Sequence, residues 1–304
     1  MEALRPKHEC GDGERKDFYL ISERTRQMIS RFIFGLVTTV LLCAVWAVPQ
    51  ETPPTGGVPV KMLVTAESRN DKEVAAVHRD DVMVYQGHDR DKVADWVPAK
   101  GDHSGLELFV LIDDESNSNL GLQLDDVRHF IQSQAATTMV GVAYMGNGTA
   151  QILQNLTTDH ALAAKALRLP LEFADINGSP YFSLGDLIRR WPESSARREV
   201  LMISSGIDYF GGSGPADPYV DSQIYLSRVC EEAGGESYGV GFFGPPVSFR
   251  PYLDGLSHHL DHQYWLTFLA VPGKKSGLQP VRLTTEVPNL ELVGADSVYV
   301  PAQP

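Results

Sequence analysis

Cysteine is scarce in this chain: Cys10, Cys43 and Cys230 are its three copies in 304 residues. The first two lie before or within an apolar run near the N-terminus. The chain beyond that run therefore holds a single thiol and no internal disulfide. Basic residues are also short, with 26 Lys and Arg against 39 Asp and Glu and a formal charge of −13. That balance argues against phosphate-backbone binding, which needs clustered Lys and Arg, and the expected partner is not nucleic acid. Catalytic signatures are missing as well. There is no C-x-x-C, H-E-x-x-H or G-x-S-x-G. Gly211-Gly-Ser-Gly214 lacks the Lys of a phosphate loop, and Gly141 to Gly148 lacks a dinucleotide spacing. No nucleophile–base pair is visible, and the expectation is a protein that is not an enzyme.

The apolar run is the first positive signal. Phe32 to Val48 is free of charge, comes after Arg24, Arg26 and Arg31, and ends in small residues before Pro49. This is the order of a secretory leader, with Ala47 as its last residue, and it predicts export to the periplasm, the cell surface or the medium. If it is left uncleaved, the same run anchors the chain, which gives the one expected contact with a membrane. Met28 would begin a leader of more usual length. Removing residues 1–47 takes away seven basic and six acidic side chains and leaves 19 against 33.

With 43% hydrophobic and 21% charged residues, the remainder can bury a core. Residues 48–57 are Pro- and Gly-rich and read as a linker. Residues 58–102 contain two short alternating stretches, Val58–Thr65 and Asp81–Tyr85, with a helical turn near Glu73–Val77 between them. From 103 to 262 the pattern becomes alternating strands and helices. Leu106–Ile112 is a near-continuous apolar run, as expected of a strand covered on both faces. Leu120–Gln134 has helical spacing, Thr138–Tyr144 and Ala150–Gln154 are strands, and Asp159–Leu169 is a helix. Ser183–Trp191 is a helix with Ser183 and Asp186 placed as a capping box. Glu199–Ser204, Tyr219–Ala233, Ser237–Phe243 and 249–262 continue the alternation. This predicts an α/β fold with a doubly wound, mostly parallel sheet. Residues 263–304 return to short alternating segments, expected to join residues 58–90 in a small β unit around the inserted α/β domain.

One loop carries chemistry. In a doubly wound sheet, ligands bind beyond the C-terminal ends of the strands, and Asp113-Asp114-Glu115-Ser116-Asn117-Ser118 comes directly after the first central strand there. Asp114, Ser116 and Ser118 set one carboxylate and two hydroxyls around a point, a donor set for a hard cation such as Mg²⁺. The same residue types also serve as ordinary turn residues. His258 and His262 stand at i, i+4, a spacing that can hold zinc. No Glu comes after His258 and no third ligand is evident, so a solvated helix end is the simpler reading.

On these residues the stretch from Leu106 to Phe268 resembles a von Willebrand factor A domain. More narrowly, the chain resembles acidobacterial exported proteins that carry one, through Asp80-Asp81-Val-Met-Val84-Tyr85 before the domain and Tyr299-Val300-Pro301 after it. The resemblance implies a metal-ion-dependent adhesion site that holds an acidic residue of a protein partner. Asp114, Ser116 and Ser118 match its first motif. For the family's Thr the candidates are Ser179 and Ser183. Where the family usually has T-D-G, this chain reads Ser204-Ser205-Gly206, so Ser205 replaces the second carboxylate and Asp208 is the nearest substitute. One strand–helix unit is missing ahead of Ala233-Gly-Gly-Glu-Ser-Tyr238. The implied function is an exported, adhesion-type protein-binding module with a degenerate Mg²⁺ site. The alternative is a metal-independent structural or assembly protein of the cell envelope.

Overall fold

The computed structural model describes residues 57–70, 73–114, 120–121, 123–171, 179–204, 218–239 and 247–302. The apolar run at 32–48 lies outside them, and no helix among the described residues is long and apolar enough to cross a membrane.

The largest sheet is antiparallel. Its six strands are β1 (Val58–Ser68), β2 (Val82–Gln86), β3 (Asp89–Pro98), β8 (Gln263–Ala270), β10 (Arg282–Thr285) and β11 (Leu290–Gly294), in the order β10-β2-β3-β8-β1-β11. In β1 the alternation buries Val60, Met62 and Val64 and leaves Pro59 and Lys61 in solvent, as a strand with one face on a core requires. Those residues meet Val82, Val84, Leu266, Phe268, Leu290 and Leu292 in a continuous apolar core. The sheet curls until its edges nearly meet: a Cβ built on Gly294 in β11 would lie 2.9 Å from the Leu283 side chain in β10. A separate pair, β9 (Gly277–Pro280) and β12 (Ser297–Val300), completes the tail.

The second sheet has four strands in the order β6-β5-β4-β7. β4 (Leu106–Asp113) is buried at every position and runs parallel to β5 (Thr138–Gly146) and β7 (Arg197–Ile203). Three helices cover one face: α1 (Leu124–Ser133), α2 (His160–Lys165) and α5 (Arg250–Asp261), whose Val127, Phe130, Ile131, Ala163 and Leu253 pack on Leu108, Val110, Ile112 and Val142. On the other face Phe109, Leu111 and Met145 pack against Leu187 and Trp191, at and just beyond the end of α3 (Pro180–Arg190). A further helix, α4, spans Pro218–Ala233.

The expected doubly wound, mostly parallel sheet is therefore corrected. The antiparallel sheet is the larger one, and among the described residues only three strands run parallel. Two physical details explain the difference. First, β6 (Thr149–Thr157) is not reached by a crossover. It folds back on β5 through Asn147 and Gly148, with φ of 52° and 65°. That two-residue turn needs left-handed backbone at both positions, which Asn-Gly supplies. Second, β3 escaped notice although it sits between β2 and β8. Its alternation is broken by an irregularity between Val93 and Asp95, and its inward positions include the charged Asp91. Of the expected strand Ser237–Phe243, residues 240–243 lie outside the described residues, and Ser237–Gly239 are not in a strand. α3 also begins earlier than expected, at Pro180. Ser183 sits inside its first turns, and Asp186 accepts from Ala150 N at 3.0 Å and from Arg190 instead of capping.

A buried arginine ties the two sheets together. Arg197, at the start of β7, donates to Leu260 O in α5 (2.8 Å), to Gln263 Oε1 in β8 (2.7 Å) and to Ser104 O ahead of β4 (2.9 Å).

Asp91 is the weak point of the antiparallel sheet. It is 5% exposed, and its Oδ2 has no hydrogen-bond partner among the described residues. Burial, then the charge of Asp89, pushes its carboxyl up to about 6. The folded state thus holds this proton more tightly than the unfolded chain does. Stability from this group is complete below about pH 4 and is lost as pH rises through about 6. Asp91→Asn should stabilise the protein at pH 7.5 by on the order of 1–2 kcal/mol, after discounting the shift for solvent screening. In urea melts run from pH 4 to 8, the gain should shrink towards zero at the acid end. A pH-independent difference would contradict this assignment.

Candidate functional site

Asp113 ends β4 and Asp114 comes directly after it, where the parallel neighbours β5 and β7 also end. Asp113 is 6% exposed, and its Oδ2 accepts from Ser204 Oγ, just past β7, at 2.8 Å. Asp114 is 7% exposed and takes a different partner. Arg168, three residues past α2, lays its guanidinium against the carboxylate, Nη1 to Oδ1 and Nη2 to Oδ2, both at 2.6 Å. The Leu171 backbone N–H adds a third bond to Oδ1 at 3.1 Å. A two-point guanidinium–carboxylate pair of this kind is among the strongest and most directional polar contacts.

Tyr144 in β5 fixes the arginine from below. Its ring is fully buried and lies 3.9 Å under the guanidinium carbon, a cation–π contact strengthened by exclusion of water. Its hydroxyl accepts from Arg168 N at 2.8 Å and donates to Arg168 O at 2.6 Å. Burial raises that hydroxyl's pKa above the ordinary tyrosine range. Hydrogen bonding to Asp114 raises that of Arg168 further. Nη1 also donates to Leu169 O at 2.9 Å. Arg168 is thus held by backbone, ring and carboxylate together, with 30% of its side chain open to solvent.

The expected site residues divide into two groups. Ser116, Ser118, Ser205 and Asp208 lie outside the described residues. Ser179 and Ser183 are each 1% exposed, and neither hydrogen-bonds Asp114 among the described residues. Ser179 occupies the N-cap of α3 without using its hydroxyl there, and its Oγ is buried without a partner among the described residues. The described donors do not fit a Mg²⁺ ion at Asp114. Both carboxylate oxygens are taken by Arg168, and a second cation beside that guanidinium would meet like charge. His258 and His262 face each other with ring centroids 4.3 Å apart, but His262 Nδ1 is engaged with His258 O at 2.7 Å.

Arg168 and Tyr144 were missed because their roles are set across the fold. The available signal was a lone arginine in the apolar stretch Ala166–Leu171, a position that requires a buried counter-charge.

No family model matches the chain, and no curated protein matches it. The resemblance to acidobacterial exported proteins thus rests on its short motifs alone. Among solved structures the chain is similar to the VWA domain of SpRpn10, at 19% identity, with 42% of this chain and 69% of that one covered and a TM-score of 0.27. An overlap that weak defines neither a site nor a function.

Removing one partner of the pair strands the other. Arg168→Ala should lower stability by about 2–4 kcal/mol, because Asp114 would be left buried and unpaired. Asp114→Asn with Arg168→Met should cost less than the sum of the two single changes, with a coupling of about 1–3 kcal/mol. A urea double-mutant cycle reads this directly, and additive effects would show that the pair is not a unit.

Proposed function

We propose that the chain is a protein-binding module that presents the Arg168 guanidinium, held by Asp114 and Tyr144, to an acidic side chain of a partner. The observation that carries this reading is the guanidinium itself. Among the described residues, three of its N–H groups are engaged, by Asp114 twice and by Leu169 O, which leaves donors on a side chain already fixed in place and 30% open to solvent. Preorganisation matters because a free arginine loses rotamer entropy on binding and a clamped one does not. On this reading the positive charge that would meet the partner's carboxylate is covalent, and binding needs no metal. The leader-like order of the apolar run at 32–48 supports a location in the cell envelope or outside it.

A second reading, a structural or assembly role, draws on a different feature. Leu278 and Tyr299 are cross-strand partners in the β9–β12 pair, 74% and 61% exposed. Large apolar side chains side by side in solvent suit a surface that another protein covers.

The two readings separate on an array of extended peptides with Asp or Glu at a single position, probed with the full chain. Binding to the acidic members should persist in EDTA, weaken with added salt, and fall at least tenfold (about 1.4 kcal/mol) in Arg168→Met. Binding that requires Mg²⁺, or that Arg168→Met leaves unchanged, contradicts the first reading. Loss on changing Leu278 and Tyr299 to Ser would support the second.

A further inference from the structure

Glu67, Glu236 and His259 come together from three different elements. Glu67 is next to last in β1, Glu236 lies just past α4, and His259 lies in the last turn of α5. One ligand atom from each lies within 4.8 Å of the other two, and His259 Nδ1 stands 3.1 Å from Glu236 Oε2.

Each donor is placed by its own backbone. Glu67 is paired with Glu291 in the β1–β11 ladder. Its neighbour Ala66 donates to His262 O at 2.9 Å, which holds the end of α5 against β1. Glu236 is set by the way α4 stops. Gly234 N bonds Glu231 O at 3.0 Å and Gly235 N bonds Cys230 O at 2.8 Å, with Gly234 at φ 76°. That pattern closes a helix with a left-handed glycine and sends the chain off in a fixed direction. A Cβ at 234 would lie 2.4 Å from the Gly294 carbonyl carbon, so only glycine lets this turn dock on β11.

Charge at the cluster is out of balance. Glu67 lies in the fields of Glu236, His259 and Glu291, and Tyr238 stands close enough to feel its charge. Glu291 is neutralised by Arg69 at 3.2 Å, which leaves two carboxylates to share one imidazole. The Tyr238 hydroxyl donates to Glu236 Oε2 and supplies a hydrogen bond but no positive charge. Two like charges that the backbone holds this close call for a cation between them.

We propose that Glu67, Glu236 and His259 bind a divalent metal ion of the zinc class, with water completing the shell, and that the ion ties β1 to α5 and to the segment after α4. The imidazole nitrogen selects the class: Mg²⁺ and Ca²⁺ prefer oxygen-only shells, whereas Zn²⁺ takes mixed nitrogen and carboxylate ligands. Zn²⁺ bonds of roughly 2.0–2.1 Å in a tetrahedron put neighbouring donors about 3.3 Å apart, close to the existing His259–Glu236 separation. Glu67, whose ligand atom lies within 4.8 Å of the other two, would complete the set by a side-chain rotation.

The test uses the full chain without an affinity tag, stripped with a chelator and titrated with Zn²⁺ alone. At a hundredfold excess over the dissociation constant the melting temperature should rise by about 5–10 °C, while the same concentration of Mg²⁺ leaves it unchanged. Glu67→Gln and His259→Ala should each abolish the rise, and His258→Ala should preserve it. Should His259→Ala fail to fold, Co²⁺ bound to the wild type should show d–d absorption bands that Glu67→Gln removes. No Zn²⁺ response in the wild type overturns the proposal. So does a response that survives Glu67→Gln, or one that is lost only with His258.

Discussion

A carboxylate at the end of a fully buried strand has to be neutralised, and this is the condition the upper rim of the mixed sheet is built around. β4 carries its apolar run straight into Asp113 and Asp114, and both are at least nine-tenths buried. Leaving such a group charged and unpaired would cost several kcal/mol. A cation can meet the need from solvent, or the chain can supply one. Here Arg168 supplies it, with two bonds to Asp114 and a tyrosine ring beneath. The pair also fastens the segment after α2 to the end of β4, since Leu171 N bonds the same carboxylate. Asp114 then has its counter-charge within the chain, and 30% of the arginine side chain stays open to solvent.

A second arginine is used differently, to satisfy carbonyl and amide oxygens where the two sheets meet. Arg197 is 5% exposed and bridges the entry to β4, the last turn of α5 and the first residue of β8. A planar group with five donors can satisfy several buried acceptors at once, which lysine's compact ammonium cannot do with the same geometry. Through this junction the antiparallel sheet, whose strands come from both ends of the described chain, is held to the segment 106–262 that interrupts it.

How much of this was legible in the sequence depended on whether a residue's role was local. Leu106–Ile112 and Thr138–Tyr144 announced themselves because continuous apolar runs have few alternatives to a covered strand. In the tail, β8, β10, β11 and β12 could be read from their period-two alternation, and β9 could not. β3 could not, because its irregularity shifts the alternation and its buried Asp91 reads as a surface residue. The β5–β6 hairpin was written in Asn147-Gly148, yet the surrounding α/β rhythm suggested a mostly parallel sheet instead. The site was less legible than the fold. Asp114 stood out by its place after β4, but its partner is 54 positions away and no spacing rule connects them. Likewise the i, i+4 spacing drew attention to His258 and His262. It is His259, between them, that reaches two carboxylates, and one of those comes from a strand 192 positions earlier.

The central claim, that a guanidinium occupies the place where a bound cation would neutralise Asp114, is tested most directly by a crystal structure grown in millimolar Mg²⁺. Arg168 Nη1 and Nη2 should lie within hydrogen-bonding distance of both Asp114 oxygens, with the ring of Tyr144 beneath them and no metal density at the carboxylate. A hexacoordinate ion on Asp114, with Arg168 turned out into solvent, would contradict the claim.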